Sequence, residues 1–172
     1  MLNNIMADNI TNTLNPETEA QKLLEEYWPE GEFPINPADI ANKMGIRVLI
    51  TTFDDSKISG AVMKEEDGQP EILVNKKDPP TIIRFSIAHE LGHIIHNEQN
   101  KQFVYLDYRN QLASNGTDPH EIFANQFASC LLMPKKDVGA AFNFLKLSEL
   151  AQHFDVSEQA IKFRLLNLNI MN

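Results

Sequence analysis

The chain has 172 residues, 42% hydrophobic and 23% charged, a length and balance suited to one packed globular domain with a small appendage. Its formal net charge of -9 argues against a general basic surface for nucleic acid, and no segment approaches the ~20 consecutive apolar residues of a membrane span. A single cysteine, Cys130, excludes an internal disulfide; within "FASCLLM" it reads as a buried, reduced thiol.

The N-terminal stretch "MLNNIMADNITNTLNPETEA" has no basic region followed by an apolar run. It is therefore not read as a secretion signal, and a cytoplasmic protein is expected. Residues 1–15, rich in Asn and Thr with little to bury, are expected to be a disordered extension. A helix follows over 16–28, capped by Asn15 with Pro16 at its first position, and "PEGEFP" breaks it. Asn36 and Pro37 open a second, over about 37–44, that stops at Gly45.

"IRVLITTF" is β-rich, and "KISGAVMK" and "EILVN" flank "EEDGQP" as a hairpin turning near Asp67 and Gly68. Helices are predicted over about 81–97 and about 119–133, the latter opened by Asp118-Pro119 and closed before Pro134. The twenty or so residues between them form either a loop or, around "FVYLDY", a short strand. The expected fold is α+β. A small, mostly antiparallel sheet of about three strands packs on two helices over residues 16–144, and a helical extension over 145–172 packs on that core.

The segment "RFSIAHELGHIIH" carries the chemistry. On a helix, residues four apart lie one turn apart on one face, so His89 and His93 can reach a single Zn2+. Glu90 points aside from them, where a carboxylate faces a water instead of the metal. Zinc acidifies such a water, and the carboxylate takes its proton and later delivers it to the leaving amine. The bland alternative is a buried helix with two structural histidines. Gly92 weighs against it: a mid-helix glycine costs about 1 kcal/mol relative to alanine, which makes sense if another element approaches closely.

A catalytic zinc needs a third protein ligand. His96 lies too far along the helix axis to share the ion and reads as a neighbouring, substrate-facing or surface residue. In the next helix Glu121, Ala124, Asn125 and Ala128 share one face, and the alanines would let it press on Gly92. Glu121 is either the third ligand or the far half of a capping box with Asp118, and His120 is the fallback ligand.

"RFSIAHELGHIIH" followed by "EIFANQFASCLLMP" resembles the ImmA/IrrE family of zinc metallopeptidases, and "ISGAVMK" and "ILVN" resemble that family's paired strands. The resemblance covers roughly residues 35–168. It implies His89, His93 and Glu121 as zinc ligands and Glu90 as catalytic base, and so favours Glu121 as ligand over cap. It also implies the substrate class, a helix-turn-helix transcriptional repressor encoded nearby.

The strand over Ile58–Lys64 is a candidate sheet edge for an extended peptide, with Gly60 permitting close approach, or else an ordinary interior strand. Tyr105, Tyr108 and His120 are candidate oxyanion donors, though such tyrosines are more often packing residues. "LAQHFDVSEQAIKFRLLNL" resembles a helix-turn-helix, with Asp155 where a turn glycine is usual. Its balanced charge makes packing or partner docking the better reading than DNA binding. Two alternatives stand beside the peptidase: a non-catalytic zinc-binding protein that sequesters a partner, and a DNA-binding regulator.

Overall fold

The computed structural model describes residues 14–66, 68–97, 102–108 and 118–171. The expected disorder of residues 1–15 falls almost wholly outside that range, as do Asp67 of the expected turn and most of the segment between the two motif helices.

Caps and breakers set the helices. Asn15 accepts a hydrogen bond from the Thr18 backbone N–H ahead of Pro16, opening α1 (Pro16–Tyr27). Asn36 repeats the arrangement before α2 (Pro37–Lys43), and Gly45, at φ 78°, turns the chain out of it. Then come β1 (Arg47–Thr51), β2 (Ile58–Lys64), β3 (Glu71–Asn75), α3 (Pro80–His96), β4 (Phe103–Tyr108) and α4 (Pro119–Leu132). Three further helices follow: α5 (Lys135–Phe142), α6 (Leu147–Phe154) and α7 (Glu158–Asn167).

The fold is α+β, as expected, but its sheet differs from the expectation in two respects. It has four strands, in the order β1-β3-β2-β4, and it is mixed, because β1 runs parallel to β3 while β2 is antiparallel to both its neighbours. The short strand around "FVYLDY" forms and pairs with β2. The strand proposed as a peptide-binding edge, Ile58–Lys64, is therefore interior, and the edge on that side is β4. The β2–β4 register slips between Ile58 and Gly60, leaving Ser59 as an extra residue opposite Asp107. Such bulges re-aim side chains and recur beside functional sites.

Helix α3 is apolar on nearly every side, the pattern of a helix buried all round. The sheet covers it through β2 and β3, and α4 packs along it. Leu91, Phe127, Leu131 and Leu132 are fully buried among these layers, each stabilising the fold by about 1.5–3 kcal/mol. The two helices come close at Gly92, where an added Cβ would lie 2.8 Å from the Ala124 Cα. The backbone-to-backbone approach anticipated from that glycine is present.

The tail joins the same core through Leu150, Phe154, Ile161 and Leu165. Arg84 of α3 binds the Asp155 carboxylate at 2.7 Å and also donates to the Asp155, Phe154 and Ile35 carbonyls. Asp155, at φ 49°, takes the left-handed turn where glycine is usual, and the arginine holds it there. Buried Arg164 of α7 reaches the Met133 carbonyl, Cys130 Sγ and the Glu17 carboxylate, tying α7 to α4 and α1.

Candidate metal centre

Three elements converge at the middle of α3. His89 and His93 lie one turn apart and fully buried, their Nε2 atoms 3.0 Å apart. Glu121, in the first turn of α4, brings its carboxylate to 3.5 Å from His89 Nε2 and 3.3 Å from His93 Nε2. The close α3–α4 packing at Gly92 sets that reach. Asp118 caps α4 by accepting from the His120 N–H, and the Glu121 carboxylate turns to the histidines.

A fourth donor comes from β4. Strand alternation exposes Val104 and Leu106 and turns Tyr105 and Asp107 inward. Asp107, 1% exposed, places its carboxylate 3.3 Å from His89 Nε2 and 3.7 Å from His93 Nε2. One donor atom from each of His89, His93, Asp107 and Glu121 lies within 4.8 Å of the other three. Four donors at tetrahedral corners about 2.0–2.1 Å from an ion stand about 3.3 Å apart. The imidazole–imidazole and imidazole–carboxylate separations of 3.0–3.7 Å lie near that spacing, and with all four donors within 4.8 Å the cluster could hold a small divalent metal.

The surroundings orient the donors. His89 Nδ1 lies 3.0 Å from Asn125 Oδ1, which assigns its proton to Nδ1 and frees Nε2 for a metal. Tyr105 stacks on the His93 ring, centroids 4.4 Å apart, and donates its hydroxyl to Asn97 Oδ1. Asn97 in turn donates to the His93 carbonyl.

Glu90 is fully buried, its carboxylate turned toward Asp107 and away from hydrogen-bond donors. Gly60 makes room for it, since a Cβ there would fall 2.4 Å from Glu90 Oε1. Gly60 thus serves the catalytic-base candidate, where the sequence suggested a passing peptide.

Electrostatics follow from this crowding. Burial first, then the neighbouring Asp107 and Glu121 charges, pushes the Glu90 carboxyl well above its usual value. Burial alone would lower His89, but hydrogen bonds and charge from Asp107 and Glu121 outweigh it and raise it to about 9. His93 moves up for the same reasons. The two imidazoles hold Glu121 down at about 2. They also depress Asp107 against the opposing effect of its burial. Negative charge that draws protons onto imidazoles also draws a cation, and a bound metal displaces those protons.

The remaining candidates lie elsewhere. His96 and His120 pack edge to face, centroids 4.6 Å apart, and His96 also lies against Phe123. Neither belongs to the four-donor cluster. The Tyr108 side chain lies outside the described residues. Asp107 is the residue that sequence reasoning missed; its only signal was an acid at an inward position of "FVYLDY".

The α+β layers thus carry a buried His-His-Asp-Glu cluster that could hold a metal ion, with a further buried glutamate, Glu90, on the same helix as the two histidines. Residues 41–166 match Peptidase_M78, the IrrE N-terminal-like domain, and the chain belongs to that family. No curated protein matches the chain. Among solved structures it is similar to a Mycobacterium tuberculosis transcriptional regulator, at 18% identity and a TM-score of 0.60. The similarity covers 87% of this chain and 46% of that one, and at this identity it speaks to the fold alone.

Proposed function

We propose that this protein is a zinc-dependent endopeptidase that hydrolyses a peptide bond in a partner protein, with a helix-turn-helix transcriptional repressor as substrate. His89, His93 and Glu121 hold the zinc, and Glu90 is the general base. Residues 16–144 form the peptidase domain and 145–172 a helix-turn-helix-like extension packed on it. The proposed setting is the cytoplasm; no helix among the described residues is long and apolar enough to cross a membrane. The observation that carries the reading is the convergence of two α3 imidazoles and the Glu121 carboxylate at metal-binding separations, with Glu90 beside them. Family membership supports the reaction class.

A bound zinc supplies a Lewis acid that polarises the scissile carbonyl and acidifies water. The protein's residues do the rest. Glu90 takes the proton of the attacking water on a carboxylate oxygen and passes it to the amide nitrogen as the C–N bond breaks. Asn125 and the Tyr105 stack fix the orientation of the two imidazoles. An extended substrate segment pairs with the β4 edge, next to the cluster.

The test combines metal analysis with cleavage of a repressor encoded beside this gene. Glu90→Gln is expected to keep about one metal per chain and lose cleavage, because the base is not a ligand. Glu121→Ala is expected to weaken metal binding with the fold retained. Cleavage that survives Glu90→Gln would remove that residue from the mechanism. Unchanged metal affinity in Glu121→Ala would return Glu121 to a structural role.

A further inference from the structure

A catalytic metal site built on three protein ligands keeps its fourth corner open for water or substrate. Here that corner is filled. The Asp107 carboxylate stands as close to His89 Nε2 as Glu121 does, 3.3 Å against 3.5 Å, and completes a cluster of four donors within 4.8 Å of one another. At 1% exposure, both its oxygens are fully buried and face the two imidazoles, at 3.3 Å from His89 Nε2 and 3.7 Å from His93 Nε2. A carboxylate buried this deeply is costly unless a positive charge, a protonated imidazole or a metal ion, faces it.

We propose that Asp107 is an internal fourth ligand that closes the metal site in the resting protein, and that it must withdraw before water or substrate can enter. This rests on the metallopeptidase reading above and adds a regulatory step to it. The position of Asp107 suits a removable ligand. It sits one residue from the end of β4, opposite the bulge that leaves Ser59 unpaired in the ladder, where a backbone shift disrupts fewer bonds than in mid-strand. The Ser59 hydroxyl donates to its carbonyl at 3.2 Å, an additional tether that such a shift would break. Because β4 is the sheet edge, a peptide pairing with it pulls on the backbone that carries Asp107. Substrate binding and site opening are thereby coupled.

Cobalt substitution tests this without an activity assay, using azide as the probe of an open coordination position. The wild-type Co2+ protein is expected to show a visible spectrum that barely responds to azide. Asp107→Asn is expected to shift that spectrum, to bind Co2+ about tenfold more weakly, and to bind azide at least about tenfold more tightly. A wild-type spectrum that shifts readily with azide would show an open corner and overturn the proposal, whether or not the variant folds. So would an Asp107→Asn protein with unchanged spectrum and azide affinity. In either case, Co2+ binding that still depends on Glu121 leaves the metallopeptidase reading standing. If the wild type takes up no Co2+ or Zn2+ at all, both readings fall together.

Discussion

Gly92→Ala isolates the packing that brings the two motif helices together. Taken locally the change is favourable, because alanine is better than glycine within a helix by about 1 kcal/mol. The tertiary contact reverses this. The new Cβ would lie 2.8 Å from the Ala124 Cα, 3.2 Å from its carbonyl oxygen and 3.3 Å from its Cβ. Carbon atoms rest about 3.5–4.0 Å apart, so the nearest contact falls short by about 0.7–1.2 Å. The obstacle is backbone and cannot rotate away, so α3 and α4 must separate or slide by about that distance. Overpacking of this kind costs about 1–3 kcal/mol, which against the helical gain leaves a net loss of about 0–2 kcal/mol. In a protein of this size that is a fall in Tm of a few degrees, at about 2–4 °C per kcal/mol. The larger effect is expected at the metal. Glu121 is on α4 and the histidines flank Gly92 on α3, so their separations of 3.3–3.5 Å stretch directly. Metal sites tolerate only about 0.2 Å, and a 10–100-fold weaker affinity is about the expected loss. Thermal denaturation of the metal-free protein and a chelator-competition titration measure the two effects separately. A Gly92→Ala protein that is more stable and binds metal as tightly as the wild type would refute the reasoning.

Two further outcomes are expected. In Gly60→Ala the new Cβ, 2.4 Å from Glu90 Oε1, forces the proposed base aside, so the proposed cleavage should fall about 100-fold with metal affinity nearly unchanged; full activity would separate Gly60 from Glu90's proposed role. Burial opposes ionisation of Glu17, but the hydrogen bond and charge of Arg164 outweigh it and hold the folded pKa below 4.5. The depressed value means that Glu17 stabilises the fold above the unfolded pKa and that this contribution disappears as pH falls through the folded one. Tm measured against pH should therefore decline less steeply on the acid side for Glu17→Gln than for the wild type, and parallel curves would contradict the assignment.

The helices were legible because their signals are local. Asn15-Pro16, Asn36-Pro37 and Asp118-Pro119 each begin a helix where a side-chain cap precedes proline. The His89–His93 pairing follows from helical periodicity alone. Glu121 is different: its reach depends on how tightly two helices pack, and Gly92 with Ala124 hinted at that without deciding between ligand and cap. The parallel β1–β3 pairing and the interior place of β2 arise from long-range register, which no local pattern encodes. Asp107 was hidden for the same reason, since only the β2–β4 pairing brings that strand over α3. Asp155 misled in the other direction. It departs from the usual turn residue, yet its carboxylate is what Arg84 binds.

The departures from ordinary protein construction cluster in space. A glycine stands mid-helix at Gly92, a second glycine leaves space at Gly60, and Glu90, Asp107 and both histidines are buried within one small volume. Each is unfavourable alone: weaker helix, emptier packing, desolvated charge. A single divalent cation would offset the charge terms together, because its two positive charges would balance the Asp107 and Glu121 carboxylates while neutral imidazoles complete the set. The two glycines serve the same arrangement, one admitting α4 to the ligand cluster and the other making space for Glu90. A histidine helix kept only for packing would require none of these features, least of all a buried glutamate turned toward a second carboxylate. Their coincidence, more than the five-residue motif, is the physical case for a metal centre.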